Sequence, residues 1–493
     1  MKLLKLIRYR LTRKHFGPTE ARILYDGGVA FGSAVAVCAF HEVFMSTHVG
    51  YSAPFLITVA LLVLNAVCGV YTKYRTARGR TKARVLTVAT LLTAVLLAAF
   101  GIQTSVIALW LIIALPLLAI ARLLISAVQT PRHVIVSSTV RQRGPVLVIG
   151  GAGYIGSHVV DQLLKSGETV RVLDKLMYGK QALESFAFNR NFELIDGDTT
   201  DIAKLTAAMR GASAVIHLAG LVGDPACAVD KDFTRHTNTI ATRMAREVAQ
   251  AMGVYRFIFA SSCSVYGTSD KEVKEGDELN PVSLYAQTKI DSERELLHNA
   301  PDDFFITVLR FATVFGHSFR PRFDLVGNLF TAQAINEGRI TVMGPDQWRP
   351  FIHCRDLARA IITVLKAEPY LVQSQVFNVG DKRLNMTILE LAEAVKKVVQ
   401  VERSVDLVIN NDVTDKRNYA VSFEKIRTIL GFQAETLLED GIREIADQFK
   451  AGGYNNYQDE IYSNLKITKR VVSDFHDPQN LGHLYAPLKV QNQ

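Results

Sequence analysis

The stretch VLVIGGAGYIGSHVV, residues Val146 to Val160, decides the fold. Four apolar residues read as a short buried strand, and small residues follow, with glycine at 150, 153 and 156. YIGSHVVDQLLKSG then carries helical spacing up to a glycine cap. Small residues let the chain turn tightly and let its backbone approach a pyrophosphate, whose charge meets the helix N-terminus. TVRVLD comes next, a second strand ending on Asp174, where a carboxylate accepts from the adenosine ribose 2′-OH. A like-charged 2′-phosphate would be repelled there, which favours NAD over NADP. The plain alternative is a glycine-rich turn that holds no cofactor, and the ordered strand, helix and acid argue against it. FELIDGD, AVIHLAG and FIFASS alternate with helical stretches, which predicts an α/β, doubly wound parallel sheet.

Ahead of this stretch the composition changes. The chain has 493 residues, room for two or three domains. Residues 1 to 145 hold 17 Lys and Arg against 3 Asp and Glu, net +14, while the remainder is net −5. The basic balance therefore belongs to the leading segment, and the larger, mildly acidic part gives no reason to expect nucleic acid. Five cysteines, Cys38, Cys68, Cys227, Cys263 and Cys354, lie far apart without a C-x-x-C pair, so neither a disulfide framework nor a metal site is expected.

Four apolar runs fill the leading segment, from about 23 to 45 and from Tyr51, Arg84 and Ser105. Three of them reach the ~20 apolar residues that cross a bilayer, and the first is read as a span with polar ends. Seven Lys or Arg precede the first run and six crowd TKYRTARGRTKAR, residues 72 to 84, up to the first residue of the third, which predicts both the N-terminus and the C-terminal part on the cytoplasmic side. The expected organisation is a membrane domain over 1–140, a nucleotide-binding enzyme over 146–455 and a tail over 456–493 with no assigned chemistry.

SLYAQTK places Tyr285 and Lys289 four apart, on one face of a helix. Tyr-x-x-x-Lys recurs at Tyr462 with Lys466 and at Tyr485 with Lys489, so the spacing alone says little. ASSCSVYG just upstream singles out the first, because it leaves Ser262 at the end of a strand where Tyr285 arrives. With these motifs, DGD, HLAG, LRFATVFG and WRPFIHCRDLARA, the chain from about Val146 to Lys450 resembles the extended short-chain dehydrogenase/reductases that act on nucleotide sugars. That resemblance implies a Rossmann-type sheet with a smaller C-terminal substrate domain, and a homodimer. It implies catalysis by Ser262, Tyr285 and Lys289, and NAD held by Gly150, Gly153, Tyr154, Ile155, Gly156, Asp174, Asp198 and Lys289. It also implies that Asn328, Arg349 and Arg417 touch the nucleotide diphosphate, a task that suits the planar guanidinium fork. Thr313 stands where many relatives carry Asn, and one substrate contact differs there.

Tyr285 is expected to take a sugar hydroxyl proton as the carbon beneath gives hydride to NAD, with Lys289 and the nicotinamide cation favouring phenolate. Returning hydride to the opposite face of a turned 4-keto sugar is epimerisation. Dehydratases of this kind carry an acid pair directly after the catalytic hydroxyl residue, where this chain has Cys263 and Ser264. Reductases tend towards NADPH, against Asp174. The expectation is a membrane-anchored 4-epimerase on a UDP-hexose or related nucleotide sugar, serving polysaccharide or glycoconjugate synthesis; dehydratase, 4-keto reductase and non-catalytic scaffold are the alternatives. Four spans ahead of such a domain resemble membrane-bound 4,6-dehydratases, in which Met usually stands at the tyrosine position, so Tyr285 carries over the architecture and not the reaction.

Overall fold

The computed structural model describes residues 18–44, 52–67, 79–129, 144–298, 300, 304–410, 415–454 and 456–475. It divides into two compact units, Met1–Ser137 and Ser138–Gln493. Tyr485, Lys489 and Cys68 lie outside the described residues.

In the first unit the four apolar runs form four helices, Pro18–Phe44, Ala53–Val67, Gly79–Ala99 and Thr104–Gln129. Small and medium apolar residues meet inside, among them Ala30, Ala34, Ile57, Leu61, Ala114 and Leu118, with Trp110 as the largest. Hydroxyls within the helices return to carbonyls one turn back, Thr90 to Leu86 at 2.8 Å and Thr93 to Ala89 at 2.9 Å, so they are buried without leaving the helix unpaired. The outer surface carries large apolar side chains; Val95 is 68% exposed and Phe100 74%.

Among the described residues no helix is long and apolar enough to cross a membrane. The expected four spans are therefore not supported. Ala53–Val67 has 15 residues, which rise about 22 Å against ~30 Å of hydrocarbon. Gly79–Ala99 spends its first turns on Arg80, Lys82 and Arg84.

The second unit is built on seven parallel strands: β1 (Val146–Ile149), β2 (Val170–Asp174), β3 (Phe192–Asp196), β4 (Ala214–His217), β5 (Arg256–Ser262), β6 (Phe305–Phe311) and β10 (Gln375–Val379). Their order is β10-β6-β5-β4-β1-β2-β3. The chain winds outward from β1 to β3, returns to the other side of β1 for β4, and winds outward again. That reversal opens a crevice at the carboxyl ends of β1 and β4, where doubly wound sheets hold ligands. β1 and β4 are buried along their whole length, as helices on both faces require.

Two small sheets build the part beyond the main sheet. One holds β7 (Thr313–Phe315), β9 (Trp348–His353) and β11 (Asn385–Thr387); the other pairs β8 (Arg339–Met343) with β12 (Asp406–Asn410). The segment expected as a tail is partly structured: the helix Asn464–Phe475 packs on the turn Asp224–Cys227.

Candidate active site

The glycine turn follows β1 directly. Gly150 has φ +87°, and a Cβ there would meet Ala219 N at 2.6 Å, so only glycine fits. A Cβ on Gly156 would collide with Gly150 O. At Gly153 it would meet only Gly150 O, at 3.3 Å, so the turn stays open on that side. The helix Gly156–Lys165 begins after Ile155 without a side-chain cap, which leaves its N-terminus to an anion. Asp174 at the end of β2 accepts from Ala152 N at 2.9 Å and Leu176 N at 2.8 Å. Burial raises its carboxyl, and these two N–H groups pull it back. Asp174 thus holds the turn in shape, and its oxygens keep lone pairs for a ribose hydroxyl. Asp198 pairs with Lys175 at 3.0 Å and accepts from Thr200 N at 2.8 Å; burial opposes its charge, but these partners win and its pKa falls. The cradle fits a dinucleotide.

Ser262 ends β5, and its Oγ accepts from Ser264 N at 3.2 Å and Ser264 Oγ at 2.9 Å. Tyr285 and Lys289 lie on the helix Leu284–Leu297, whose cap Ser283 accepts from Ala286 N at 3.2 Å. The Tyr285 hydroxyl bonds to Ser262, so strand end and helix meet as the sequence implied. Burial pushes Tyr285 above the ordinary phenol range, while the Ser262 bond and the charge of Arg322 oppose it. Burial also lowers Lys289, to about 8. Its Nζ donates to Ala260 O at 2.8 Å and lies 5.8 Å from the Tyr285 ring centre. Its ammonium is thus anchored on a carbonyl beside the tyrosine, and burial is the largest influence on the phenol.

Arg349 and Arg417 converge. Arg417 lies at 2.9 Å (Nε to Oδ1) and 2.5 Å (Nη2 to Oδ2) from Asp415, and Arg349 at 3.1 Å from the same carboxylate. Arg417 also reaches Asp224 at 3.3 Å, and Asp224 accepts from Ser283 Oγ at 2.7 Å. Arg417 thus lies near the start of the helix Leu284–Leu297, and the two arginines share carboxylates that a diphosphate would have to displace. Asn328 sits elsewhere in its chemistry. Its amide donates to Arg322 O at 2.8 Å and accepts from Gly316 N at 2.9 Å, with Tyr154 OH at 3.2 Å. Asn328 braces a loop, and its donors are taken up by protein.

Several site residues were not read from the sequence. Asn238, in a π-turn at His236–Ile240, accepts from Leu221 N at 2.7 Å and donates to Thr288 Oγ1 at 3.2 Å. It ties the loop after β4 to the catalytic helix; π-turns recur at such places. Tyr285 shares an apolar cluster with Leu221, Cys227, Phe233 and Val472, so the C-terminal helix walls the site. Arg320 and Arg322 enter from the loop after β7; FRPRFD, two arginines around a proline, was the available signal.

Comparison with known proteins agrees with this geometry. Residues 146–380 match the NAD dependent epimerase/dehydratase family. The chain is 28% identical over 337 residues to the UDP-glucose 4-epimerase of Lactobacillus helveticus, covering 64% of this chain and 99% of that protein. It is also 28% identical over 332 residues to the dTDP-D-glucose 4,6-dehydratase of Mus musculus, covering 63% and 90%. In structure it is similar to the UDP-glucuronic acid 4-epimerase of Bacillus cereus, solved with UDP-glucuronic acid and NAD, at TM-score 0.56 and 26% identity over 62% of this chain and 99% of that one. NAD is the cofactor the cradle is built for. Over residues 146–380, then, this chain is similar to the NAD dependent epimerase/dehydratase family.

Proposed function

We propose that the protein is an NAD-dependent 4-epimerase of a nucleotide sugar, of UDP-hexose type. The observation that carries this reading is the meeting of Ser262, Tyr285 and Lys289 beside the glycine turn, with no acid in the two positions after Ser262. Cys263 is buried with its Sγ on Arg310 O at 3.3 Å, and Ser264 bonds back to Ser262, so neither can drive loss of water from a sugar.

NAD, when bound, supplies the hydride acceptor and a positive charge near Tyr285. Tyr285 takes the proton of the sugar 4-hydroxyl, and Ser262 holds the same oxygen. Lys289, anchored to Ala260, orients the site from below the tyrosine ring. Arg349 and Arg417 bind the diphosphate, which leaves the oxidised sugar free to turn and present its other face. Incubation with UDP-, GDP- and dTDP-hexoses tests this by NMR. A C4 epimer that keeps substrate deuterium is expected; a dehydrated sugar, or stoichiometric free NADH, would overturn it. Pairing into a homodimer belongs to the same reading, and sedimentation checks it.

We further propose that the helical unit attaches the enzyme to a lipid bilayer with the α/β unit on the cytoplasmic side, where lipid-linked sugar transfer for polysaccharide or glycoconjugate assembly takes place. Its outward apolar side chains support this, as do the basic segments ahead of the first and third helices. Membrane fractions washed with alkaline carbonate should retain the full chain. Release into the supernatant would refute attachment through the apolar face.

A further inference from the structure

The loop Gly316–Asp324 after β7 is sewn to the cofactor cradle. Tyr154 OH donates to Gly316 O at 2.7 Å, Ser318 Oγ donates to Tyr154 O at 2.7 Å, and His158 Nε2 lies 3.0 Å from His317 O. Two arginines leave this loop around Pro321, and their fates differ. Arg322 is paired with Asp324 at 2.9 and 3.0 Å, and Asp324 also accepts from Asn464 N at 2.9 Å. Arg320 is equally buried, 6% exposed, yet its Nε and Nη2 have no hydrogen-bond partner among the described residues. Its guanidinium lies 4.0 Å from the centre of the Tyr178 ring, and the Tyr178 hydroxyl is buried and unpartnered as well.

A buried guanidinium with unmade hydrogen bonds is costly unless something anionic completes it. Asp324 is bonded to Arg322 instead. Burial and the charge of Arg322 lower Arg320 to about 10, which leaves it protonated at neutral pH. Its position names the anion. Tyr178 belongs to the loop that follows Asp174, and Asp174 and Tyr154 both feel the Arg320 charge. The unpaired donors therefore belong to a loop bonded to Tyr154 of the glycine turn, and they stack against Tyr178, four residues past Asp174.

We propose that Arg320, with the Tyr178 hydroxyl beside it, is a diphosphate subsite that completes the binding of the NAD pyrophosphate begun by the glycine turn. A guanidinium offers two parallel donors to phosphate oxygens, and its stacking on Tyr178 holds the fork in place. The same chemistry would suit the diphosphate of the sugar nucleotide, which Arg349 and Arg417 already serve. The proposal rests on the NAD-binding role of the cradle and assigns to it residues from outside the glycine turn.

The full-length protein is titrated with NAD, ADP-ribose, adenosine and UDP, as wild type, Arg320→Gln, Arg320→Lys and Tyr178→Phe. Arg320→Gln should weaken NAD and ADP-ribose about 10- to 100-fold, the scale of lost charged hydrogen bonds, and leave adenosine and UDP nearly unchanged. Arg320→Lys should recover part of the loss, and Tyr178→Phe should show a smaller one. Without nucleotide, Arg320→Gln should melt no lower than wild type, because an unpaired buried charge is removed; a purely structural arginine would lower the midpoint. A loss confined to UDP keeps the diphosphate subsite and assigns it to the substrate. Unchanged affinity for both nucleotides overturns the proposal, and absence of NAD binding in the wild type would overturn the cradle assignment as well.

Discussion

The two units of this chain both bury apolar side chains but differ in what they turn outward. The helical unit buries Asp26, His41 and Asn65 and turns Phe55, Val95 and Ile112 outward, whereas the α/β unit, about three times as long, has fewer exposed large apolar side chains and buries most of them. Where the α/β unit does bury charge, it pairs it or uses it. Arg310 on β6 and Glu293 on the helix Leu284–Leu297, each 5% exposed, bond at 2.7 Å, with Tyr266 OH and Ser261 completing the network. Arg320 is a buried cation whose Nε and Nη2 make no hydrogen bond among the described residues. Folding in water requires the second pattern, because apolar burial drives it. The first pattern fits a surface that meets something apolar.

Four outcomes test that contrast, from the largest effect downward. Tyr285→Phe keeps the ring and removes one oxygen, so turnover should fall ~10² to 10⁴-fold while NAD affinity and the melting midpoint hold. Tyr462→Phe, whose ring packs against Phe323 at 5.2 Å between centres, should leave turnover unchanged. If Tyr285→Phe retained full activity, the trio would not be the reacting centre.

Arg310→Ala leaves Glu293 buried and unpaired, which should destabilise the α/β unit by about 3–5 kcal/mol in denaturant titrations. A loss below about 1 kcal/mol would mean that water already solvates the pair.

Lys289 gives a pH signature. Its folded pKa of about 8 lies below its unfolded value, near 10.4, so the charged form is the penalised one. The penalty is full below pH 8, and stability rises as pH climbs from about 8 to 10.4, where the unfolded chain binds the extra proton, by ~3 kcal/mol in total. Lys289→Met should abolish that rise while turnover is lost. A parallel pH curve for the variant would show that Lys289 is solvated.

The smallest effects separate the surfaces. Val95→Lys should cost roughly 2–3 kcal/mol of membrane association if the outer face meets lipid. Phe188→Lys, at a fully exposed site of the α/β unit, should shift stability by less than about 0.5 kcal/mol. Equal, negligible effects at both sites would erase the contrast between the units.

Much of the site was legible because its signals are local. Glycine at 150 and 156 is dictated by atoms within a few residues or one strand away, and Tyr285 and Lys289 share a face by helical period alone. Asp174 was placed correctly at its strand end, but its grip on Ala152 N comes from the turn folding back, which no spacing shows. Asn328 was expected at the substrate; three backbone and side-chain partners claim it once the 316–322 loop closes.

By itself, then, the sequence determined the strands, the glycine turn, the Ser-Tyr-Lys order and the change of composition near residue 145, since periodicity, steric freedom at glycine and residue charge are written in neighbouring positions. Only the tertiary structure decided which arginine finds a carboxylate and which does not, that the helix Asn464–Phe475 walls the tyrosine, and that Lys289 loses basicity. Those properties depend on desolvation and on partners brought from distant parts of the chain, and neither is encoded in the identity of the residue that feels them.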